Sequence, residues 1–139
     1  MVQLVVGKKG KGKTKYLLDK VNAEVQTASG NIVYLDKSTK HMYELNNKIR
    51  LIDVSYYMIS DSDEFTGFVC GIISQDHDLE KMYFDSFLKI ACLEEGGMEA
   101  VIQKLEEISG KFKVDFVVSV SLDEDELPAS VKDKVIMSL

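Results

Sequence analysis

The chain is poor in the residue types that many functions depend on. Its 139 residues include one arginine (Arg50), two cysteines, two histidines and no tryptophan. Cys70 and Cys92 each sit among apolar neighbours and read as buried, reduced thiols of a cytoplasmic protein. Only His41 and His77 are present to join them, so no metal-ligating set with a recognisable spacing forms. The longest uncharged stretch, Phe65 to Gln75, is too short to span a bilayer, which excludes membrane insertion of that segment. Lys8 and Lys9 break the N-terminal apolar run too early for a signal peptide. Positive charge is also in deficit. The net charge of −6 and a pI near 4.9 argue against a broad nucleic-acid-binding role.

What is present suits a folded domain. A hydrophobic fraction of 45% and a charged fraction of 29% are ordinary globular values, and the length fits one domain, residues 1–139. Val2 to Val6 is an apolar run ending at Gly7, as in a buried strand that enters a turn. From Lys13 the spacing becomes helical: Leu17, Leu18, Val21, Val25 and Ala28 share one face, and Gly30 closes the segment. Asn31 to Asp36 reads as a second strand, Lys37 to Lys48 as a loop or short helix, and Ile49 to Tyr57 as a third extended segment. Ser60 stands as the N-cap of a helix carrying Phe65, Phe68, Val69, Ile72 and Ile73, with Gly67 and Gly71 as close-packing positions. Lys81 to Phe87 is a short strand. Met98, Val101, Ile102, Leu105, Ile108 and Phe112 form a regular helical stripe. Val114 to Val120 is a buried strand, and an acidic loop, Pro128 and a candidate edge strand near Val135 to Leu139 come after it. Strands and helices therefore alternate, which implies parallel strands with helices on both faces.

The chemistry concentrates in Gly7-Lys8-Lys9-Gly10-Lys11-Gly12-Lys13-Thr14, which matches G-x-x-x-x-G-K-[ST]. Glycines permit the backbone conformations in which successive N–H groups turn inward around a phosphate. A helix starting near Lys13 aims its N-terminal amides and positive dipole end at the same anion. Lys13 is placed to reach the β- and γ-phosphates, and the Thr14 hydroxyl to ligate magnesium. Lys15 adds to a run of lysines at positions 8, 9, 11 and 13. That run either strengthens phosphate binding, docks an acidic partner, or is simply solvated. The acidic stretch Asp123 to Glu126 is either a solvated loop or the surface that meets such a patch on another subunit.

The loop and the alternating order resemble the P-loop NTPase superfamily across the whole chain at fold level, although only the loop is motif-specific. Size and strand spacing look most similar to the minimal core of RecA-like and AAA-type ATPases. GKKGKGKT, KMYFDSFLKI and FVVSVSLDEDELP are also similar to short bacterial ATP-binding proteins sometimes labelled as like the PilT twitching-motility ATPase. This chain is too short to hold the rest of a pilus motor. The resemblance implies a three-layer α/β/α fold with a mainly parallel sheet, ATP and Mg²⁺ as ligands, a cytoplasmic location, and a protein partner or homo-oligomer. It also asks for an acidic residue ending an apolar strand to hold magnesium through water. Asp85 after Met82-Tyr83-Phe84 fits, and Asp36 is the competing carboxylate, for the metal or for an attacking water.

The chain also departs from the pattern of an efficient ATPase. Ser86 stands where such hydrolases carry a glutamate, Glu80 precedes its strand at the wrong end, and Glu94 and Glu95 need a bend to return. Arg50 would have to act in trans as an arginine finger, or else is a strand-edge cation. Ser119 or Ser121 ends the last buried strand where these folds sense a γ-phosphate. A nucleotide kinase is disfavoured by the single arginine, and a GTPase by the lack of an N-K-x-D segment. Three readings remain: an ATP–Mg²⁺-binding protein with slow or partner-dependent hydrolysis, a nucleotide-sensing module that never hydrolyses, and a small-molecule kinase using Lys37 to Tyr57 for its acceptor.

Overall fold

The apolar runs and the helical stripes of the sequence assemble around one sheet. A computed structural model describes residues 1–139. Its strands are β1 (Val2–Val6), β2 (Asn31–Asp36), β3 (Arg50–Asp53), β4 (Leu79–Phe84), β5 (Asp115–Val120) and β6 (Val135–Ser138). Its helices are α1 (Lys13–Glu24), α2 (Ser62–Ser74), the single-turn α3 (Phe87–Ile90) and α4 (Met98–Phe112). The strands order as β3-β2-β4-β5-β1-β6, and every pairing is parallel. The chain is therefore α/β, with an all-parallel sheet flanked by helices.

Strand periodicity sorts the core into two layers. Leu4, Val6, Val33, Leu35, Met82, Phe84, Phe116 and Val118 point to the face covered by α2, α3 and α4. Val5, Ile32, Tyr34, Tyr83 and Val117 point the other way, where Leu17, Leu18 and Val21 of α1 meet them. Both faces being covered explains why the interiors of β2 and β5 read as apolar runs. This arrangement fits three layers, α/β/α. No helix is long and apolar enough to cross a membrane.

Several expected boundaries move, each for a local reason. α1 ends at Glu24 and gives way to turns before Gly30. A Cβ at Gly30 would collide with the Asp78 carbonyl, so glycine lets β2 start beside the β4 entry. The third extended segment is only Arg50–Asp53. Asp53 Oδ1 accepts the Ser55 N–H at 3.0 Å and the Ser55 hydroxyl at 2.6 Å, folding Val54–Tyr56 into a 3₁₀ turn. Asp61, not Ser60, caps α2, accepting the Glu64 N–H at 2.8 Å, while Glu64 reaches back to the Ser60 N–H at 2.6 Å. The strand expected over Lys81–Phe87 spans Leu79–Phe84, because Ser86 turns left-handed (φ 55°) and Phe87 opens α3.

Other expectations fail on burial. A Cβ at Gly67 or Gly71 would meet nothing within 4 Å, so these glycines mark no close packing. Cys92 is exposed and Cys70 half-buried, so neither is the buried thiol the sequence suggested. Phe112, the last of the α4 stripe, is 44% exposed at the helix's final residue, where Lys113 turns left-handed and closes the end on the Ser109 carbonyl. Glu80 lies within β4 and binds the Gly30 N–H and the Ser29 hydroxyl, far from any strand end that matters for ligand.

Candidate functional site

In parallel sheets the carboxyl ends of the strands open onto the ligand crevice. Here the register aligns those ends: Val6 lies beside Val120 and Leu35 beside Phe84. Gly7, Asp36, Asp85 and Ser119 consequently gather on one edge of the sheet. β5 lies between β1, which feeds the glycine–lysine loop, and β4, which ends at Asp85.

The loop conformation accounts for its glycines. Gly10 and Gly12 have φ of 86° and 97°, and a Cβ at either would meet no atom within 4 Å. Backbone angle rather than space therefore asks for glycine there. At Gly7 space matters too, since a Cβ would lie 2.9 Å from the Leu139 carbonyl oxygen. Gly12 is the N-cap of α1 and no side chain caps that end, so the first-turn amides face the cleft without a side-chain acceptor.

Lys13 is 7% exposed, and its ammonium donates to the Lys8 carbonyl oxygen at 3.1 Å. No carboxylate lies within ion-pairing distance of it. An ammonium has three protons to place, and one carbonyl leaves the others free to face the cleft. Burial pulls its pKa below the ordinary lysine value, against the pull of Asp85 in the opposite direction.

Asp85 is the hub of the site. Its Oδ1 accepts from the Thr14 hydroxyl at 3.2 Å, the Ser119 hydroxyl at 3.0 Å and the Ser86 N–H at 2.9 Å. Its Oδ2 accepts from the buried Tyr34 hydroxyl at 2.8 Å. Ser119 Oγ also accepts the Ser86 N–H at 3.0 Å, so the residue after Asp85 is held by its backbone. Asp36 is 3% exposed and its Oδ1 accepts the Lys37 N–H at 2.7 Å. Burial, and then the nearby Asp85 charge, pushes its pKa up to about 6, while Lys37 and His41 pull against this.

These groups share one open cleft of about 710 Å³. Lys9, Gly10, Gly12, Lys13, Thr14, Asp36 and Asp85 all line it. Lys8, Lys11, Lys15 and Gly7 do not. Lys8 turns to an ion pair with Glu126 and lies 3.9 Å from Asp123, which keeps its pKa above the ordinary value. The acidic stretch thus meets the basic loop within the same chain, through Lys8. Lys15 pairs with Asp19 on the exposed side of α1 at 3.0 Å.

Sequence reading assigned no triphosphate-binding role to half of the cleft wall. Lys37, Ser38, Lys40 and His41 come after β2, and Ser86, Leu88, Lys89 and Glu94 after β4. The carboxyl-end rule for parallel strands, applied to Asp36 as well as Asp85, would have found the first group. Glu94 makes the return that was expected to need a bend, because α3 lasts one turn and Cys92 (φ 59°) reverses the chain. Ser121 also lines the cleft, whereas Arg50 does not. Arg50 instead lines a separate hollow of about 540 Å³ between β3 and α2. No group of three or more histidine, cysteine or acidic residues is poised to hold a metal. No protein-family model matches the chain, and no curated protein matches it.

Proposed function

We propose that the chain is a P-loop protein that binds ATP with Mg²⁺ and hydrolyses it slowly or only with a partner. The observation that carries this reading is Lys13, a lysine 7% exposed whose ammonium faces the cleft with one carbonyl partner and no carboxylate, at the mouth of a helix whose first amides lack a side-chain cap. Both call for an anion at the same point. Gly10, Gly12 and Lys9 would surround the phosphates, with Gly7 setting the turn into the loop.

The oxygens present suit magnesium. Mg²⁺ keeps several waters and takes one or two protein oxygens beside those of phosphate, rather than an all-protein cage. Thr14 Oγ1 and Asp85 Oδ1, 3.2 Å apart, would hold it on that pattern. When bound, it would neutralise developing charge on the β- and γ-phosphates. Asp36 would stand across the cleft as a carboxylate able to orient water, and Glu94 as a second.

Ser86 offers a hydroxyl, a poor base, and a backbone N–H already engaged by Asp85 and Ser119, so the residue after Asp85 supplies no carboxylate to take a proton from water. A sensing module without hydrolysis is the second reading, favoured by that engagement. Calorimetric titration of ATP into Lys13→Ala tests the first claim. Affinity is expected to fall about tenfold to a hundredfold, the worth of one or two charge-assisted hydrogen bonds. Unchanged affinity would mean that Lys13 holds no phosphate and that the reading is wrong.

A further inference from the structure

We infer that this cleft selects the triphosphate and leaves the base unread, so that its substrate class is nucleoside triphosphates in general and inorganic tripolyphosphate with them. The inference rests on the triphosphate reading above and narrows it to the part of the ligand that is recognised.

The composition of the cleft wall carries it. Of the 17 residues that line the cleft only Leu88 is hydrophobic, and the single aromatic ring is the imidazole of His41, whose Nδ1 is engaged with Glu44 at 2.8 Å. A base is ordinarily held by stacking on an aromatic or apolar face, with a few polar atoms reading its edge. Stacking on the broad face of a phenylalanine, tyrosine or tryptophan is worth roughly tenfold or more in affinity, and this cleft is lined by none of the three. The aromatic residues close to it in sequence are committed elsewhere. Tyr34 is fully buried with its hydroxyl on Asp85, Phe87 is buried under α3, and Tyr16 packs against the α1 face of the core.

The charge distribution supplies what stacking does not. Five lysines and three carboxylates line the cleft, in a chain whose net charge is −6. The lysines come from three separate segments: Lys9 and Lys13 in the loop, Lys37 and Lys40 after β2, and Lys89 in α3. A positive hollow on an acidic protein concentrates polyanions there. Its breadth, from the end of β1 across β5 and β4 to the end of β2, lets cations meet a phosphate chain from both sides. Every contact so described is to phosphate. None discriminates adenine from guanine, cytosine or uracil.

One exposed aromatic follows the cleft wall closely in sequence. Tyr43 is 92% exposed and two residues beyond His41, which lines the cleft, although Tyr43 does not. It therefore enters the test as a variant.

The experiment is calorimetric titration of the full chain with the magnesium complexes of ATP, GTP, CTP, UTP and inorganic tripolyphosphate. The five dissociation constants are expected to fall within about fivefold of one another, and all five to weaken together in Lys13→Ala. Tyr43→Ala is expected to bind ATP and tripolyphosphate as the wild type does. A nucleotide bound more than about fivefold tighter than the rest, tripolyphosphate weaker than all four by that factor, or selective loss of ATP in Tyr43→Ala would each overturn the inference. Those three results leave the triphosphate reading standing. Failure of every ligand to bind the wild type, or binding that Lys13→Ala does not weaken, would instead sink that reading and the inference with it.

Discussion

Thr14 and Asp85, 71 residues apart in the chain, share a hydrogen bond of 3.2 Å across the end of β5. The hydroxyl belongs to the first turn of α1 and the carboxylate to the residue just past β4. With Ser119 also donating to Asp85 Oδ1, three elements are tied at one oxygen. Asp85→Asn keeps an oxygen for these donors and removes the charge. In this variant the gain in ATP affinity on adding Mg²⁺ is expected to shrink by about tenfold to a hundredfold. Affinity in EDTA should scarcely change. The measurement is a pair of titrations, with and without the metal; an undiminished magnesium effect would remove Asp85 from the proposed metal site.

Asp36 predicts a pH dependence of stability. Its pKa is pushed up from 3.8 unfolded to about 6 in the fold, by burial first and by Asp85 second. Below 3.8 the group is protonated in both states and costs nothing. Between 3.8 and 6 the folded state holds the proton that the unfolded state has released, so stability falls as pH rises. Above 6 the full penalty stands, roughly 3 kcal/mol at most. Asp36→Asn, which keeps the acceptor for the Lys37 N–H, is expected to be more stable than wild type at pH 7 and equal to it near pH 3.5. Urea denaturation at several pH values reads this difference. A constant offset between the two proteins across that range would show that the Asp36 carboxyl does not titrate as described.

The parts of the fold that declared themselves in sequence were those with a period or a motif. β1, the loop and α1 follow from an apolar run, three glycines and a stripe of Leu17, Leu18 and Val21. Asp85 was legible because it ends an apolar strand. The rest of the cleft was not, since Lys37, Ser38, Lys40 and His41 form a polar segment whose place depends on where β2 lies in the sheet. Glu94 was hidden for a different reason. Its return depends on a one-turn helix and on Cys92 in a left-handed conformation, which that residue type adopts rarely. The move of the α2 cap from Ser60 to Asp61 was equally hidden, because both residue types cap well and only the geometry chooses.

Tyr34 is the floor of the site, with its ring stacked on Tyr83 at a centroid separation of 6.0 Å and its hydroxyl 2.8 Å from Asp85 Oδ2. Burial and the Asp85 charge hold its pKa far above that of a free tyrosine, so it is a permanent donor. Tyr34→Phe preserves the ring and strips Oδ2 of its partner. The loss expected in urea denaturation is about 1.5–3 kcal/mol, the range for a hydrogen bond to a charged group. The slope with urea should not change. A loss under about 0.5 kcal/mol would mean that water or another donor replaces the hydroxyl, and that Asp85 is less enclosed than its contacts imply.

Glu94 separates hydrolysis from sensing as the fate of a bound triphosphate. It is the only glutamate lining the cleft, while the N–H of Ser86 is fixed on Asp85 and Ser119. If Glu94 takes the proton from an attacking water, Glu94→Gln should lower the single-turnover rate of phosphate release about a hundredfold or more. The amide keeps size and hydrogen-bonding capacity, so ATP affinity should stay within about twofold of wild type. A rate equal to that of wild type would clear Glu94 of the role and pass it to Asp36, whose raised pKa leaves it ionised above pH 6 and able to accept a proton. Wild-type release no faster than buffer would instead favour the sensing module, since the cleft would then hold a triphosphate that neither carboxylate helps to cleave. The same assay in Asp36→Asn completes the separation. A rate lost there and kept in Glu94→Gln assigns the water to the carboxylate at the end of β2.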